Sequence, residues 1–177
     1  MDKQKIKQLF KKVKLLILDV DGVLTKGEIV YDDKGRELKI FNVKDGLGIS
    51  LLGRLGIKTI LLTARNSPVL KRRGLDMKVK EVIGGILPKE KNLPGIKKRY
   101  NVKSEEICFM GDDLMDLEMI KKIGIGVAVA DAVEAVKGSA KYVTAACGGQ
   151  GAVREVADLI ISAKNLEKKV YELIKNP

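Results

Sequence analysis

Leu15-Leu16-Ile17-Leu18-Asp19-Val20-Asp21-Gly22-Val23-Leu24-Thr25 decides how this chain folds. The run over 15–20 is apolar except for Asp19, the pattern of a central parallel strand covered on both faces. It ends in two carboxylates two residues apart. Carboxylates at the end of a buried strand are costly unless cations meet them.

Outward from that run, apolar stretches of strand length alternate with amphipathic stretches of helix length. Further strands are expected over 57–62, 80–83, 106–110 and 125–129, with an edge strand at Tyr142-Val143. Helical spacing over 46–55 stops at Gly56, and Ser67-Pro68 opens a helix running toward Gly74. More helices are expected over 88–100, 114–123, 133–136 and 152–163, the last of them. The alternation predicts an α/β fold, a doubly wound, Rossmann-like parallel sheet. One segment breaks the rhythm. Residues 28–31 and 37–42 are strand-like and joined by Asp32-Asp33-Lys34-Gly35, which predicts a β-hairpin inserted at about 27–42. No Pro- or Gly-rich linker divides the chain, so residues 1–177 read as a single domain.

Composition narrows the chemistry. The chain has 177 residues, 45% of them hydrophobic, and no histidine. A Ser-His-Asp triad, a Cys-His pair and any His-containing zinc site are therefore excluded. The 34 Lys+Arg outweigh the 23 Asp+Glu, for a formal net charge of +11, which favours anionic ligands in general. Aromatic residues make up only 4%, with no Trp, a poor base for stacking on single-stranded nucleic acid; no nucleic-acid partner is expected. Cys108 and Cys147 are far apart and read as reduced packing residues of a cytoplasmic protein. The apolar runs are too short to span a bilayer, and the charged, amphipathic stretch over 1–14 is no signal peptide, so no membrane partner is expected.

Open α/β sheets bind ligands at the carboxyl ends of their strands. Asp19 and Asp21 end the first strand, and Gly111-Asp112-Asp113, with Asp116 beyond, ends the fourth. Carboxylates converging without histidine make an oxygen-ligand site, which selects Mg²⁺ over zinc or copper. Thr63-Ala64-Arg65 ends the second strand, and Lys89 opens the helix after the third. A hydroxyl, a lysine and a helix start around such a metal form a cradle for a phosphoryl group.

These residues resemble the haloacid dehalogenase superfamily of phosphotransferases. Asp19-Val20-Asp21-Gly22-Val23-Leu24-Thr25 resembles its first motif, and Thr63, Lys89 and Gly111-Asp112-Asp113-Leu114-Met115-Asp116 its other three, in order. The likeness is closer to a branch of sugar-acid phosphate phosphatases, through Phe41-Asn42-Val43-Lys44-Asp45-Gly46-Leu47-Gly48, Thr63-Ala64-Arg65-Asn66-Ser67 and Gly148-Gly149-Gln150-Gly151-Ala152-Val153-Arg154-Glu155. It implies Mg²⁺-dependent hydrolysis of a phosphorylated sugar acid, 3-deoxy-D-manno-octulosonate 8-phosphate, through an aspartyl-phosphate. The alternatives are a nine-carbon sialic-acid-type 9-phosphate, or a non-catalytic assembly module associated with sugar nucleotidyltransferases. By resemblance Asp19 is the nucleophile and Asp21 the general acid and then base. Asp19, Asp21 (through its backbone carbonyl) and Asp112 hold the metal, while Thr63 and Lys89 hold the phosphate. Asn42, Val43, Lys44, Asp45, Gly46, Arg65, Arg73 and Lys89 contact substrate, and Asp113 and Asp116 support the metal ligands or start a helix. The branch implies no separate cap domain and a homotetramer assembled through the hairpins. Two departures fall in the expected substrate shell: Ser50 stands where a longer cation is usual, and Ala145-Ala146-Cys147 lacks polar residues.

Overall fold

Leu15–Leu18 forms β1, and all four side chains are fully buried. The computed structural model describes residues 2–175; Met1, Asn176 and Pro177 of the expected 1–177 unit lie outside the described residues. β1 pairs in parallel on both sides, with β4 (Lys58–Leu62) and with β6 (Ile107–Gly111). The sheet continues through β5 (Glu81–Ile83) on one flank and β7 (Ile125–Ala128) and β8 (Tyr142–Val143) on the other, in the order β5-β4-β1-β6-β7-β8. All its pairs are parallel. The chain works outward from β1 to β5, then crosses back to β6. The strand order thus reverses between β1 and β6, where a doubly wound sheet opens its ligand crevice.

Helices flank the sheet in two groups. α1 (Lys3–Lys11), α2 (Val43–Arg54) and α7 (Ala152–Ala163) pack together; α5 (Leu117–Lys122) and α6 (Glu134–Ser139) form the second group. The hairpin is present as β2 (Val30–Tyr31) and β3 (Glu37–Leu38), an antiparallel pair outside the main sheet. Its strands are shorter than the sequence suggests. Asp32 closes the turn by accepting from the backbone N–H groups of Lys34 (3.0 Å) and Arg36 (2.8 Å).

Several element boundaries differ from the sequence reading, each for a local reason. α2 starts at Val43 rather than Gly46 because Asn42 caps it, its Oδ1 accepting from the Lys44 N–H at 2.8 Å. The expected helix over 88–100 is a 3₁₀ turn, Lys89–Asn92, followed by α4 (Leu93–Tyr100). Pro94 accounts for the division, since its ring suits only a helix's first turn. α3 (Pro68–Asp76) begins at its proline as expected. The helix over 114–123 likewise opens as a 3₁₀ turn, Leu114–Asp116. A terminal helix, α8 (Glu167–Lys175), goes beyond the sequence reading; Leu166 and Val170 tie its start to the core. Both cysteines are free: Cys108 is buried in β6, and Cys147 is partly exposed in the turn before α7. No described helix is long and apolar enough to cross a membrane.

Candidate active site

The register of β1 lines up Leu18, Leu61 and Met110 in one row, so the residues just beyond them share one edge. Asp19, Asp21, Thr63, Arg65, Lys89 and Asp112 all line a single cleft of about 330 Å³ at that edge. The two acidic clusters read from the sequence therefore do face each other.

Lys89 is the pivot. It is 1% exposed, and its Nζ donates to Asp19 Oδ1 and to Asp116 Oδ1, each at 2.6 Å. Asp116 uses its other oxygen to accept from the backbone N–H of Asp112 (2.9 Å) and of Asp113 (3.4 Å). It thereby folds the Asp112-Asp113 turn against the lysine. Asp113 caps the following turn, accepting from the Leu114 N–H at 2.7 Å. Burial raises Asp19 to about 6 against the opposing pull of Lys89, with Asp116 adding to the rise. Asp112 is pushed up to about 8, by burial first and then by the charges of Asp19, Asp116 and Asp113. Burial works against the Lys89 charge, but Asp19 and Asp116 outweigh it and hold the ammonium above its usual value.

The acids fit a divalent cation. Carboxylate oxygens of Asp19, Asp112 and Asp116 all lie within 4.8 Å of one another, with no nitrogen or sulfur donor in the group. Both Asp116 oxygens are already engaged, which leaves Asp19 and Asp112 as the carboxylates open to an ion. Gly22 keeps that space clear. Its φ is +90°, and a Cβ there would overlap the Asp112 carboxylate. Repulsion among the acids raises their affinity for protons, and a hard divalent cation answers the same repulsion.

Thr63 is buried, and its Oγ1 accepts from the Arg65 N–H at 3.2 Å. Arg65 reaches back to the hairpin, donating to Glu37 Oε1 at 2.7 Å. Two hairpin residues that the sequence reading left out stand behind the lining residues Asp21 and Arg65. Lys39, its side chain 3% exposed, pairs with Asp21 and with Glu37, the latter at 3.3 Å. The available signal was the alternation Glu37-Leu38-Lys39-Ile40, which places both charges on one strand face.

The remaining expected substrate residues lie outside this cleft within one chain. Asn42 caps α2 and lines a neighbouring hollow of about 220 Å³ with Phe41 and Gly149. Val43 and Lys44 are exposed in the first turn of α2. Asp45 is buried and accepts from the Arg154 N–H at 2.8 Å, at the start of α7. Gly46 admits Arg73, which stacks 5.4 Å from the Phe41 ring and donates to the Asn42 carbonyl at 3.3 Å.

Residues 75–156 match the family model of haloacid dehalogenase-like hydrolases. The 3-deoxy-D-manno-octulosonate 8-phosphate phosphatase of Haemophilus influenzae is 40% identical over 159 residues, 90% of this chain and 88% of that protein. The crystal structure of the Moraxella catarrhalis enzyme of that name, in complex with magnesium, phosphate and the sugar acid, superposes with a TM-score of 0.92 at 35% identity, covering 96% of this chain and 98% of that one. A cobalt-bound form of the Haemophilus influenzae enzyme gives a TM-score of 0.86 at 40% identity, covering 89% and 92%. The chain belongs to the haloacid dehalogenase-like hydrolases and, within them, to the 3-deoxy-D-manno-octulosonate 8-phosphate phosphatase family.

Proposed function

We propose that the chain is a Mg²⁺-dependent phosphatase that hydrolyses 3-deoxy-D-manno-octulosonate 8-phosphate in two displacements at Asp19. The observation that carries this reading is Asp19 at the cleft floor, against the ammonium of Lys89 and beside the open carboxylate of Asp112. The names of the relatives support the substrate.

Asp19 attacks phosphorus while the ester P–O bond breaks, and the Asp21 carboxyl passes its proton to the departing alkoxide. Water then attacks the phosphorus of the aspartyl-phosphate, gives a proton to Asp21, and frees phosphate and the Asp19 carboxylate. Lys89 and Thr63 hold the equatorial oxygens, where charge is spread in the transition state. Mg²⁺, held by Asp19, Asp112 and the Asp21 carbonyl, supplies charge that offsets the repulsion between a carboxylate and a phosphate dianion. Arg65 meets the sugar acid at the mouth of the cleft. The hairpin carries Ile29, Tyr31, Leu38 and Ile40 exposed, a face suited to a homotetramer in which neighbours help close the sites. A cytoplasmic setting suits the two free cysteines.

The test is phosphate release from a panel of the eight-carbon acid 8-phosphate, a nine-carbon sialic-acid-type 9-phosphate and glucose 6-phosphate, with Mg²⁺ or EDTA. The expected result is a preference of about tenfold or more in kcat/KM for the first ester, loss in EDTA, and no turnover by a folded Asp19→Asn variant. Preference for the nine-carbon ester would move the assignment to that substrate. No turnover of any ester would leave an assembly role.

A further inference from the structure

Asp21, assigned above to proton transfer, is fixed by a residue outside the four family motifs. Lys39 Nζ pairs with Asp21 Oδ1, while Asp21 Oδ2 is buried with no hydrogen-bond partner among the described residues. Asp21 lines the cleft, so the engaged oxygen anchors the carboxyl and the unengaged one remains for a ligand. Lys39 is itself held from the other side by Glu37, and Glu37 is held by Arg65. Four alternating charges therefore run from the hairpin into the site. Two of them, Glu37 and Lys39, lie on the inward side of the hairpin's second arm, whose outward side is Leu38 and Ile40, both exposed. A lysine is a costly choice for a nearly buried position unless its charge is used.

We infer that Lys39 is a positioning residue for the proton-transfer step: it clamps one Asp21 oxygen and so presents the other to the ester's departing oxygen. This rests on the reading of Asp19 as nucleophile and Asp21 as acid. A clamp on the acid matters only where the leaving group needs a proton. An alkoxide leaving from a sugar does, whereas 4-nitrophenolate leaves without one. Lys39 therefore sorts substrates by leaving group, which neither phosphate affinity nor general stability does.

The experiment measures leaving-group release in a single turnover, with enzyme in excess and Mg²⁺ present, for wild type, Lys39→Met and Lys39→Arg. The two esters are 3-deoxy-D-manno-octulosonate 8-phosphate and 4-nitrophenyl phosphate. Lys39→Met is expected to slow release of the sugar acid by about 10- to 100-fold, within the range for general acid catalysis, and of nitrophenol by less than about threefold. Lys39→Arg is expected to recover part of the sugar-acid rate. In an Asp21→Asn background, Lys39→Met should cost nothing further. Equal slowing of both esters, no slowing of either, or additive losses with Asp21→Asn would overturn the assignment. Should Lys39→Met fail to fold, Lys39→Gln takes its place with the same outcomes. Failure of the underlying reading looks different: Asp19→Asn would then still release both leaving groups.

Discussion

Lys89 and Asp19 meet 2.6 Å apart at the foot of the cleft, and Lys89 is shared equally with Asp116. A cation this deeply buried is paired in the ground state with the carboxylate that we propose attacks phosphorus. In the proposed mechanism the same ammonium neutralises the nucleophile before the reaction and the phosphoryl oxygens during it.

Lys89→Met removes both services. It should lower kcat by about 10²- to 10³-fold, as loss of a preorganised donor does. It also leaves two buried carboxylates uncompensated, a change that costs about 3–5 kcal/mol when a buried pair is broken. Urea unfolding in EDTA and turnover in Mg²⁺ measure the two effects separately. A variant as stable as wild type would contradict the buried pairing.

Gly22→Ala places a methyl group where the Asp112 carboxylate lies, on a residue held at φ +90°. Metal affinity should fall by tenfold or more, about 1.4 kcal/mol per decade. The half-saturating Mg²⁺ concentration for activity reads it directly. An unchanged value would mean that Asp112 is not a ligand.

The proton affinity of Asp112 sets a pH signature. Its folded value of about 8 lies above the ordinary aspartate value of 3.8, so the native chain keeps a proton that the unfolded chain has released. Stability without metal should therefore fall as pH rises from about 4 to about 8. Mg²⁺ competes with that proton, so the gain in melting temperature from Mg²⁺ over EDTA should be larger at pH 9 than at pH 6. Asp112→Asn should reduce the pH dependence of that gain, leaving the part due to Asp19.

Asp45 caps α7 from a distance of 109 residues in sequence, through the Arg154 N–H. Asp45→Ala should destabilise the fold by about 1–2 kcal/mol, the usual cost of a lost helix cap. Thermal or urea denaturation measures it.

Ile40→Asp places a charge on the exposed outer side of the hairpin. Light scattering should then show a smaller species than wild type at the same concentration. A wild-type chain that is already monomeric would remove the hairpin assembly.

The sheet and its acids were legible because both are local signals. The run from Leu15 to Leu18 has no polar residue, and Asp19 and Asp112 each follow a buried strand directly. The positions of Thr63 and Lys89 followed from the same alternation of strand and helix. What escaped notice depends on contacts distant in sequence. Nothing near Asp45 announces a partner at Arg154, and nothing near Lys39 announces Asp21, 18 residues earlier across a turn. The helix starting at Glu167 was hidden because Lys168, Lys169 and Lys175 crowd a short segment in which no residue is buried.

The two thiols differ in a way that gives the molecule a built-in attachment point. Burial pushes the Cys108 thiol well above its usual range, so it stays protonated and shielded within β6. Cys147 is partly open and directly precedes Gly148, whose backbone rests against the carbonyl of Gly22. A maleimide dye added to the unmodified sequence would settle on one sulfur alone, next to the loop that borders the acid cleft. Occupancy of the cleft could then be followed by fluorescence in the native chain, with no cysteine to add or remove.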